Sequence, residues 1–195
     1  MSPARTTQRQ ARRSFLWRLW LAGTLALPFL LGAVRGHAAT TASEADVKAA
    51  FLYNAAKFVE WPTNAFTSET APLRVGVFGD DEFLARLSVL LSDKKAHGRA
   101  FEVKKITNPQ DAKNFQIVFV GAAENKRGLL VLDAVKKSPV LTIGESDEFL
   151  EYGGIIMCYF EDAQLRFDIN PEPAEKVKLV ISSKFLRLAK KKGAK

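Results

Sequence analysis

The stretch "FQIVFVG", residues 115–121, is an uninterrupted apolar run that is rich in β-branched side chains. A strand with one wet face alternates polar and apolar residues, whereas a strand covered on both faces is apolar throughout. The run therefore predicts a central strand with helices on both sides of its sheet. Two further runs, "LRVGVFG" (73–79) and "PVLTIG" (139–144), have the same character and predict neighbouring buried strands.

Helical patterns separate these runs, and the order changes toward the end of the chain. There "IIMCYFED" (155–162) and "AQLRFDIN" (163–170) follow one another and favour an antiparallel hairpin turning at Glu161-Asp162-Ala163. "DEFLEYGG" (147–154) predicts a short helix ended by glycine, and residues 182–192 predict a final helix. The order predicts the α/β class: a single domain with a mixed β-sheet flanked by helices on both faces.

The segment "KAAFLYNAAKFVEWP", residues 48–62, predicts a helix that is apolar on more than one side. Ser43 and Asp46 predict a capping box at its start, and the helix is expected to run to about Glu60. One stripe at helical spacing contains Val47, Phe51, Ala55 and Phe58; a second contains Tyr53, Lys57 and Trp61. The second stripe needs a cover, which is either the rest of the chain or another molecule.

Residues 1–38 have the pattern of a cleaved export signal rather than of a folded segment. An arginine-rich start without acids precedes a long apolar run, and the run ends in small residues at "RGHAAT". We therefore predict cleavage after Ala38 and a mature domain of residues 39–195 outside the cytoplasm. A permanent membrane anchor is the alternative, and "RRSFL" (12–16) leaves the general secretory and twin-arginine routes open.

The basic character of the chain comes mostly from its two ends. The whole sequence has 29 basic and 21 acidic residues, and the first 38 residues contain six arginines and no acid. The mature chain is therefore nearly balanced, and its basic residues concentrate after Lys184. A nucleic-acid binder needs a basic face with interleaved aromatics on the folded body, so the sequence argues against a nucleic-acid partner.

The mature sequence offers few reactive side chains. It has one histidine, His97, in a polar turn, and one cysteine, Cys158, in a strand-like run that favours a buried thiol over a redox or intermolecular one. No metal-binding, nucleophile-elbow or phosphate-loop motif is present, so we predict neither an enzyme nor a cofactor. A ligand crevice is possible where "PVLTIG" ends, formed by Gly144, Glu145, Ser146, Gly153 and Gly154.

The C-terminal region carries two further surface features. In "LRFDIN" (165–170), strand alternation places Arg166, Asp168 and Asn170 on the face opposite the apolar residues, where we expect them to be exposed. In "ISSKFLRLAKKK" (181–192), the lysines suit the negative end of a helix. The basic tail either serves solubility and the helix dipole or contacts an anionic membrane surface.

Six segments together resemble the YfiR-like family of exported bacterial proteins. They are "VKAAFLYNAAKFVEWP", "LRVGVFGDDEF", "FQIVFVG", "PVLTIGESDEFLEYGGIIM", "RFDIN" and "LVISSKFLRLA". The resemblance implies a periplasmic, often dimeric α/β protein that represses an inner-membrane diguanylate cyclase by contacting its periplasmic sensor domain. It also implies an outer-membrane lipoprotein that withdraws the repressor, with cyclic di-GMP and biofilm formation as the output. Disulfide-based control is not implied, because Cys158 is alone.

The resemblance and the surface patterns together suggest which residues bind a partner. We predict that Tyr53, Trp61, Arg166, Asp168 and Asn170 contact the cyclase, because aromatic and arginine side chains are common interface anchors. The alternative function is a periplasmic binding module for a small molecule or a cell-wall fragment, which would use the possible crevice at Gly144–Ser146 and Gly153–Gly154.

Overall fold

The computed structural model describes residues 42–189, apart from the side chain of Asn125. These residues lie in one compact unit, and the predictions for residues 1–38 and 190–195 fall outside them. The elements in chain order are α1 (Glu44–Lys57), β1 (Val59–Glu60), β2 (Leu73–Phe78), α2 (Asp81–Leu91), β3 (Lys95–Ala96), β4 (Arg99–Lys105), β5 (Ile117–Val120), α3 (Asn125–Val135), β6 (Leu141–Gly144), β7 (Ile156–Glu161), β8 (Gln164–Ile169), α4 (Pro171–Lys176), β9 (Val180–Ile181) and α5 (Ser183–Leu188).

The main sheet is curled and mixed, which confirms the predicted α/β class. Its seven strands follow the order β3-β4-β2-β5-β6-β7-β8. The five strands from β4 to β7 run parallel, and β3 and β8 pair antiparallel at the two edges. The strands β1 and β9 form a separate two-stranded antiparallel sheet.

Alternate residues of the central strand β5 enter two different hydrophobic cores. Ile117 and Phe119 pack with the buried residues of α1 and α2, whereas Val118 and Val120 pack with those of α3. Each face of the sheet is thus covered by helices. This arrangement confirms the prediction that helices flank both faces, and it explains why the strand is apolar throughout.

The first helix begins as predicted but ends earlier. The Ser43 hydroxyl accepts a hydrogen bond from the Asp46 amide at 3.2 Å, and the Asp46 carboxylate accepts one from the Ser43 amide at 3.1 Å. The helix ends at Lys57 rather than near Glu60. Val59 and Glu60 instead pair with β9, a long-range contact that the helical period of the sequence does not encode.

The segment 147–154 is not the short helix that its sequence predicts. Residues 147–153 form successive turns, in which the Tyr152 amide donates to the Glu148 carbonyl at 3.1 Å and the Gly154 amide donates to the Phe149 carbonyl at 2.9 Å. The Phe149 side chain is buried and lies where β-carbons on Gly144 and Gly154 would be. This inserted ring anchors the turns in place of a regular helix.

The C-terminal part is close to its prediction. The hairpin of β7 and β8 turns at Asp162 and Ala163, which both have positive φ. Ser182 caps α5 by accepting a hydrogen bond from the Phe185 amide, but the helix ends at Leu188 because Ala189 is already extended. Within residues 42–189, no helix is long and apolar enough to cross a membrane.

The hairpin turn generates a stability prediction. Ala163 has a φ of 58°, a conformation that costs an L-residue more than it costs glycine. We expect Ala163→Gly to raise the free energy of unfolding by roughly 0.5 to 1 kcal/mol in urea titrations. The matched control is Ala85→Gly, an exposed site inside α2, which should lower it by about 1 kcal/mol. Equal destabilisation by both changes would contradict the turn geometry.

Candidate functional site

A charged cluster occupies the carboxyl edge of the parallel strands. Asp80 follows β2 and Glu145 follows β6, so both carboxylates lie at the same edge of the sheet. The Lys48 ammonium group of α1 reaches both, at 3.0 Å from Asp80 Oδ2 and 3.1 Å from Glu145 Oε1. The chain leaves β2 for β4 on one side and later adds β5 on the other, so Asp80 marks the switch point where open α/β sheets commonly bind ligands.

Each member of the cluster also has structural partners. Asp80 caps α2 by accepting a hydrogen bond from the Phe83 amide at 2.9 Å, and Glu145 accepts one from the Ala122 amide at 3.2 Å. The Lys48 ammonium group lies 5.4 Å from the Phe83 ring centroid and 5.5 Å from that of Phe119. The two carboxylates and the two rings thus hold the cation from both sides.

The protonation of Lys48 follows from these contacts. Burial of the ammonium group would lower the pKa of Lys48, but hydrogen bonds and charges from Asp80 and Glu145 outweigh burial, and the pKa is raised. Lys48 is therefore charged at neutral pH and does not supply a free amine nucleophile. Of this cluster, Glu145 is a residue of the predicted ligand crevice, whereas a lysine in an ordinary helical pattern gives no signal that would identify Lys48.

The five residues of the predicted ligand crevice are in different surroundings. Gly144 and Gly154 are buried against the Phe149 ring, and Glu145 belongs to the charged cluster. The Ser146 carbonyl accepts a hydrogen bond from the Phe149 amide. A ligand between Gly144 and Gly154 would have to displace the Phe149 ring. Gly153 lines a separate groove of about 170 Å³ between α3 and α4.

The thiol of Cys158 lies in the main core. Its side chain is 1% exposed, and burial raises the pKa of Cys158 to about 12. The thiolate is the reactive form of cysteine, and it is almost absent at neutral pH when the pKa is so high. The buried-thiol interpretation is therefore the one that the structure supports.

The second stripe of the first helix packs against this same chain. The Tyr53 ring lies edge-on to Phe101 of β4, with 6.0 Å between centroids, and the Lys57 ammonium group lies 5.1 Å from the Tyr53 centroid. Trp61 lies beyond the helix, donates from Nε1 to the Gln116 carbonyl at 3.1 Å and meets the His97 ring edge-on. Tyr53 and Trp61 are both half-buried, so each still presents part of its ring to solvent.

These aromatic residues border a groove of about 310 Å³, which we call the aromatic groove. It is lined by Glu60, Trp61, Thr63, Phe66, Leu73, His97 and Arg99. The Arg99 guanidinium stacks 3.7 Å from the Phe66 centroid and donates to the carbonyls of Ser68 and Ala71. The wall of the groove thus combines two aromatic rings with a cation that is already held in position.

A residue absent from the sequence predictions, Gln116, holds this wall together. Its side chain is 4% exposed, accepts a hydrogen bond from the Arg74 amide at 2.9 Å and donates one to the Ala65 carbonyl at 2.7 Å. Its carbonyl accepts the Trp61 hydrogen bond. The sequence does contain a signal for this role, because Gln116 is a polar residue at the start of the buried run 115–121 and a buried amide requires hydrogen-bond partners.

The remaining predicted partner residues lie on β8, at the opposite edge of the strand order from β4. Arg166 is exposed and its Nε lies 3.7 Å from Glu161 Oε2. Asp168 is only 3% exposed, so the expectation that it is exposed is wrong: alternation gives the face of a strand but not whether that face is covered. Asn170 caps α4 by accepting a hydrogen bond from the Glu172 amide.

In the part of the chain that the structure describes, no three His, Cys, Asp or Glu residues are arranged to hold a metal ion. The fold is an α/β domain whose exposed features are an aromatic groove and charged edges. The model of the YfiR/HmsC-like family matches residues 45–190, and the chain belongs to this family. At the level of the family, this membership supports a periplasmic regulator in diguanylate cyclase signalling.

One similar solved structure is a conserved domain protein from Vibrio cholerae O1 biovar El Tor. The identity is 12%, the TM-score is 0.53, and the alignment covers 75% of this chain and 59% of that one. At this identity the similarity shows the fold alone. No curated protein matches the sequence.

The charged cluster generates a stability prediction. Lys48→Met removes the cation and leaves two partly buried carboxylates without their shared positive charge. We expect the free energy of unfolding to fall by about 2 kcal/mol in urea titrations, less than for a fully buried pair because both carboxylates retain some solvent. Adding Asp80→Asn and Glu145→Gln should recover at least half of the loss. A triple variant less stable than Lys48→Met would contradict a charge-based role.

The buried thiol generates a pH prediction. The folded pKa of Cys158, about 12, exceeds its ordinary value of 9.0, so the stabilisation is complete below pH 9 and is lost as pH rises toward 12. The stability advantage of the wild type over Cys158→Ala should shrink by about 2 kcal/mol between pH 9 and pH 11. Urea titrations of both proteins measure it. An advantage that does not change with pH would show that the thiol ionises equally in both states.

Proposed function

We propose that this protein is a periplasmic regulator that binds and represses the periplasmic sensor part of an inner-membrane diguanylate cyclase, and so limits cyclic di-GMP and biofilm formation. The observation that carries the proposal is the family match over residues 45–190. Residues 1–38 direct export by the general secretory or twin-arginine route and are removed. The role is binding rather than catalysis.

The aromatic groove is the proposed contact with the cyclase. Trp61 and Phe66 offer large apolar area at low entropic cost, and Arg99 offers a cation that is already ordered. Both features favour protein recognition. Tyr53 and Lys57 extend the same surface along α1.

Arg166 on β8 is proposed as a separate contact. Asp168 and Asn170 contribute by shaping the end of that strand, since one is buried and the other caps α4.

The proposed mechanism is a shift of populations. A repressor that binds the inactive arrangement of the cyclase better than the active one holds it inactive in proportion to that difference in affinity. An outer-membrane lipoprotein that binds the same surface withdraws the repressor by competition. A homodimer of the repressor would present two copies of the groove to a dimeric cyclase and raise the effective affinity.

The genetic test uses a matched pair of substitutions at the two ends of β4. Thr63 is exposed at the rim of the aromatic groove, and Thr107 is exposed beyond the other end of the strand. Deleting the gene should raise cellular cyclic di-GMP several-fold. The wild type and Thr107→Arg should restore the low level, whereas Thr63→Arg should not. An unchanged level after deletion, with the host's membrane cyclases expressed, would refute the proposed function.

The biochemical test locates the surface. Purified periplasmic domains of the host's membrane cyclases are tested against residues 39–195 by biolayer interferometry. Thr63→Arg should weaken binding at least tenfold, because the long cation blocks the groove, and Thr107→Arg should remain within twofold of the wild type. Arg166→Glu tests the second contact against Lys136→Glu, which reverses another exposed, ion-paired cation at the end of α3 and should leave binding unchanged. Tight binding that Thr63→Arg leaves unchanged would place the interface elsewhere.

A further inference from the structure

The last two elements, β9 and α5, carry apolar side chains that the fold does not cover. Val180 is 58% exposed, Leu186 is 36% exposed and Leu188 is 67% exposed. Three cations lie among them along the chain: Lys178, Lys184 and Arg187, all exposed. We call these six residues the C-terminal surface. Along these eleven positions cations alternate with exposed aliphatic side chains, while Leu179 and Phe185 between them are buried in the main core.

The C-terminal surface is held on a fixed scaffold. Phe185 of α5 is 3% exposed, and its ring lies 5.0 Å from that of Phe167 and 5.4 Å from that of Phe58. Ser182 caps the helix, and its amide donates to the Phe58 carbonyl at 2.9 Å. The exposed leucines are therefore attached to an anchored element, and their exposure is a property of the folded domain.

The charged side chains of this surface are all cations. Many surface cations pair with a neighbouring acid, as Lys105 does with Asp81 and Lys136 with Asp133. Within residues 42–189, the three cations of the C-terminal surface form no such ion pair. The sequence contains no acid after Glu175 and continues beyond the described residues with Lys190, Lys191, Lys192 and Lys195. The local charge is therefore positive and unneutralised.

We propose that the C-terminal surface docks the protein on an anionic lipid bilayer. The apolar area of three aliphatic side chains is too small for a stable protein interface, which needs about 800 Å² from each partner. It suits shallow insertion at the headgroup boundary, where aliphatic side chains enter and lysines and arginine remain at the phosphates. The lysine-rich end of the chain adds electrostatic attraction to anionic lipids, and this attraction does not depend on a particular conformation.

The proposal is separate from cyclase binding and adds to it. A protein held at the bilayer surface meets an inner-membrane partner at a raised effective concentration. Neither interaction requires the other, so the two can fail independently.

The test measures co-sedimentation of residues 39–195 with vesicles. We expect binding to vesicles of phosphatidylglycerol mixed with phosphatidylcholine, and weak or no binding to phosphatidylcholine alone. Lys184→Glu with Arg187→Glu should lower the partition coefficient more than twentyfold, since each cation contributes about fivefold. Leu186→Ser with Leu188→Ser should lower it about tenfold. Raising NaCl from 50 to 500 mM should weaken binding of the wild type.

The matched controls lie on exposed positions of the other helices. Val89→Ser with Leu130→Ser removes two apolar side chains that are 76% and 55% exposed, and Lys136→Glu with Lys137→Glu reverses two exposed cations. Both should leave vesicle binding unchanged. The variant with Lys184→Glu and Arg187→Glu changes only exposed side chains, so it tests the proposal even if the leucine variant is less stable. Melting temperatures of all variants show whether the leucine variant has lost stability.

Three results would overturn the proposal. Equal binding to neutral and anionic vesicles would remove the charge requirement. A site for soluble polyanions would give a different pattern. The charge variant would lose vesicle binding, a stable leucine variant would bind as the wild type does, and the wild type would bind heparin as tightly as it binds anionic vesicles. A dimer in sedimentation equilibrium that becomes monomeric in the leucine variant would identify a second copy of this chain as the occupant.

Discussion

The structure depends on the burial of α1 from two sides. Phe51 contacts Phe167 of β8, with 5.0 Å between ring centroids, whereas Tyr53, two residues along, contacts Phe101 of β4. These strands lie toward opposite edges of the sheet order, so a single helix touches both because the sheet curls. A flat sheet would cover only one stripe of a helix. The curled sheet therefore covers both apolar stripes of the helix, and no second protomer is required to cover them.

The position of α1 determines what the groups of the charged edge do. Because the helix is fixed on both sides, Lys48 is brought to the carboxyl edge, where it neutralises Asp80 and Glu145 and lies against two aromatic rings. A cation with these partners holds strand ends together and is poorly suited to proton or acyl transfer. The thiol of Cys158, which α1 helps to cover, is likewise kept protonated by burial. The Lys48 cluster and the Cys158 thiol thus stabilise the fold. The aromatic rings and cations at the surface are side chains that suit recognition of a partner.

Local sequence signals predicted those parts of the fold that local physics decides. The apolar run at 115–121, the capping box at Ser43 and the hairpin turn at Asp162 each depend on neighbours in the chain, and the structure has all three. The differences arise from contacts between distant segments. The pairing of β1 with β9 ends α1 early, and insertion of the Phe149 ring replaces a helix by turns. Burial of Asp168 and the cluster at Lys48 depend on which elements cover an edge, which a single-sequence pattern does not specify.

The two proposed surfaces are joined by the two-stranded sheet of β1 and β9. In the pair of β1 and β9, Val59 lies opposite Ile181 and Glu60 lies opposite Val180. Trp61, at the aromatic groove, directly follows Glu60, while Val180 belongs to the C-terminal surface. Backbone hydrogen bonds therefore connect the proposed cyclase contact to the proposed membrane contact across a single ladder, with the Ser182 amide adding a further bond to Phe58. A molecule docked through α5 would hold its groove in one orientation relative to the bilayer. Repression from the membrane surface would then depend on this ladder of backbone hydrogen bonds in addition to the two surfaces that it connects.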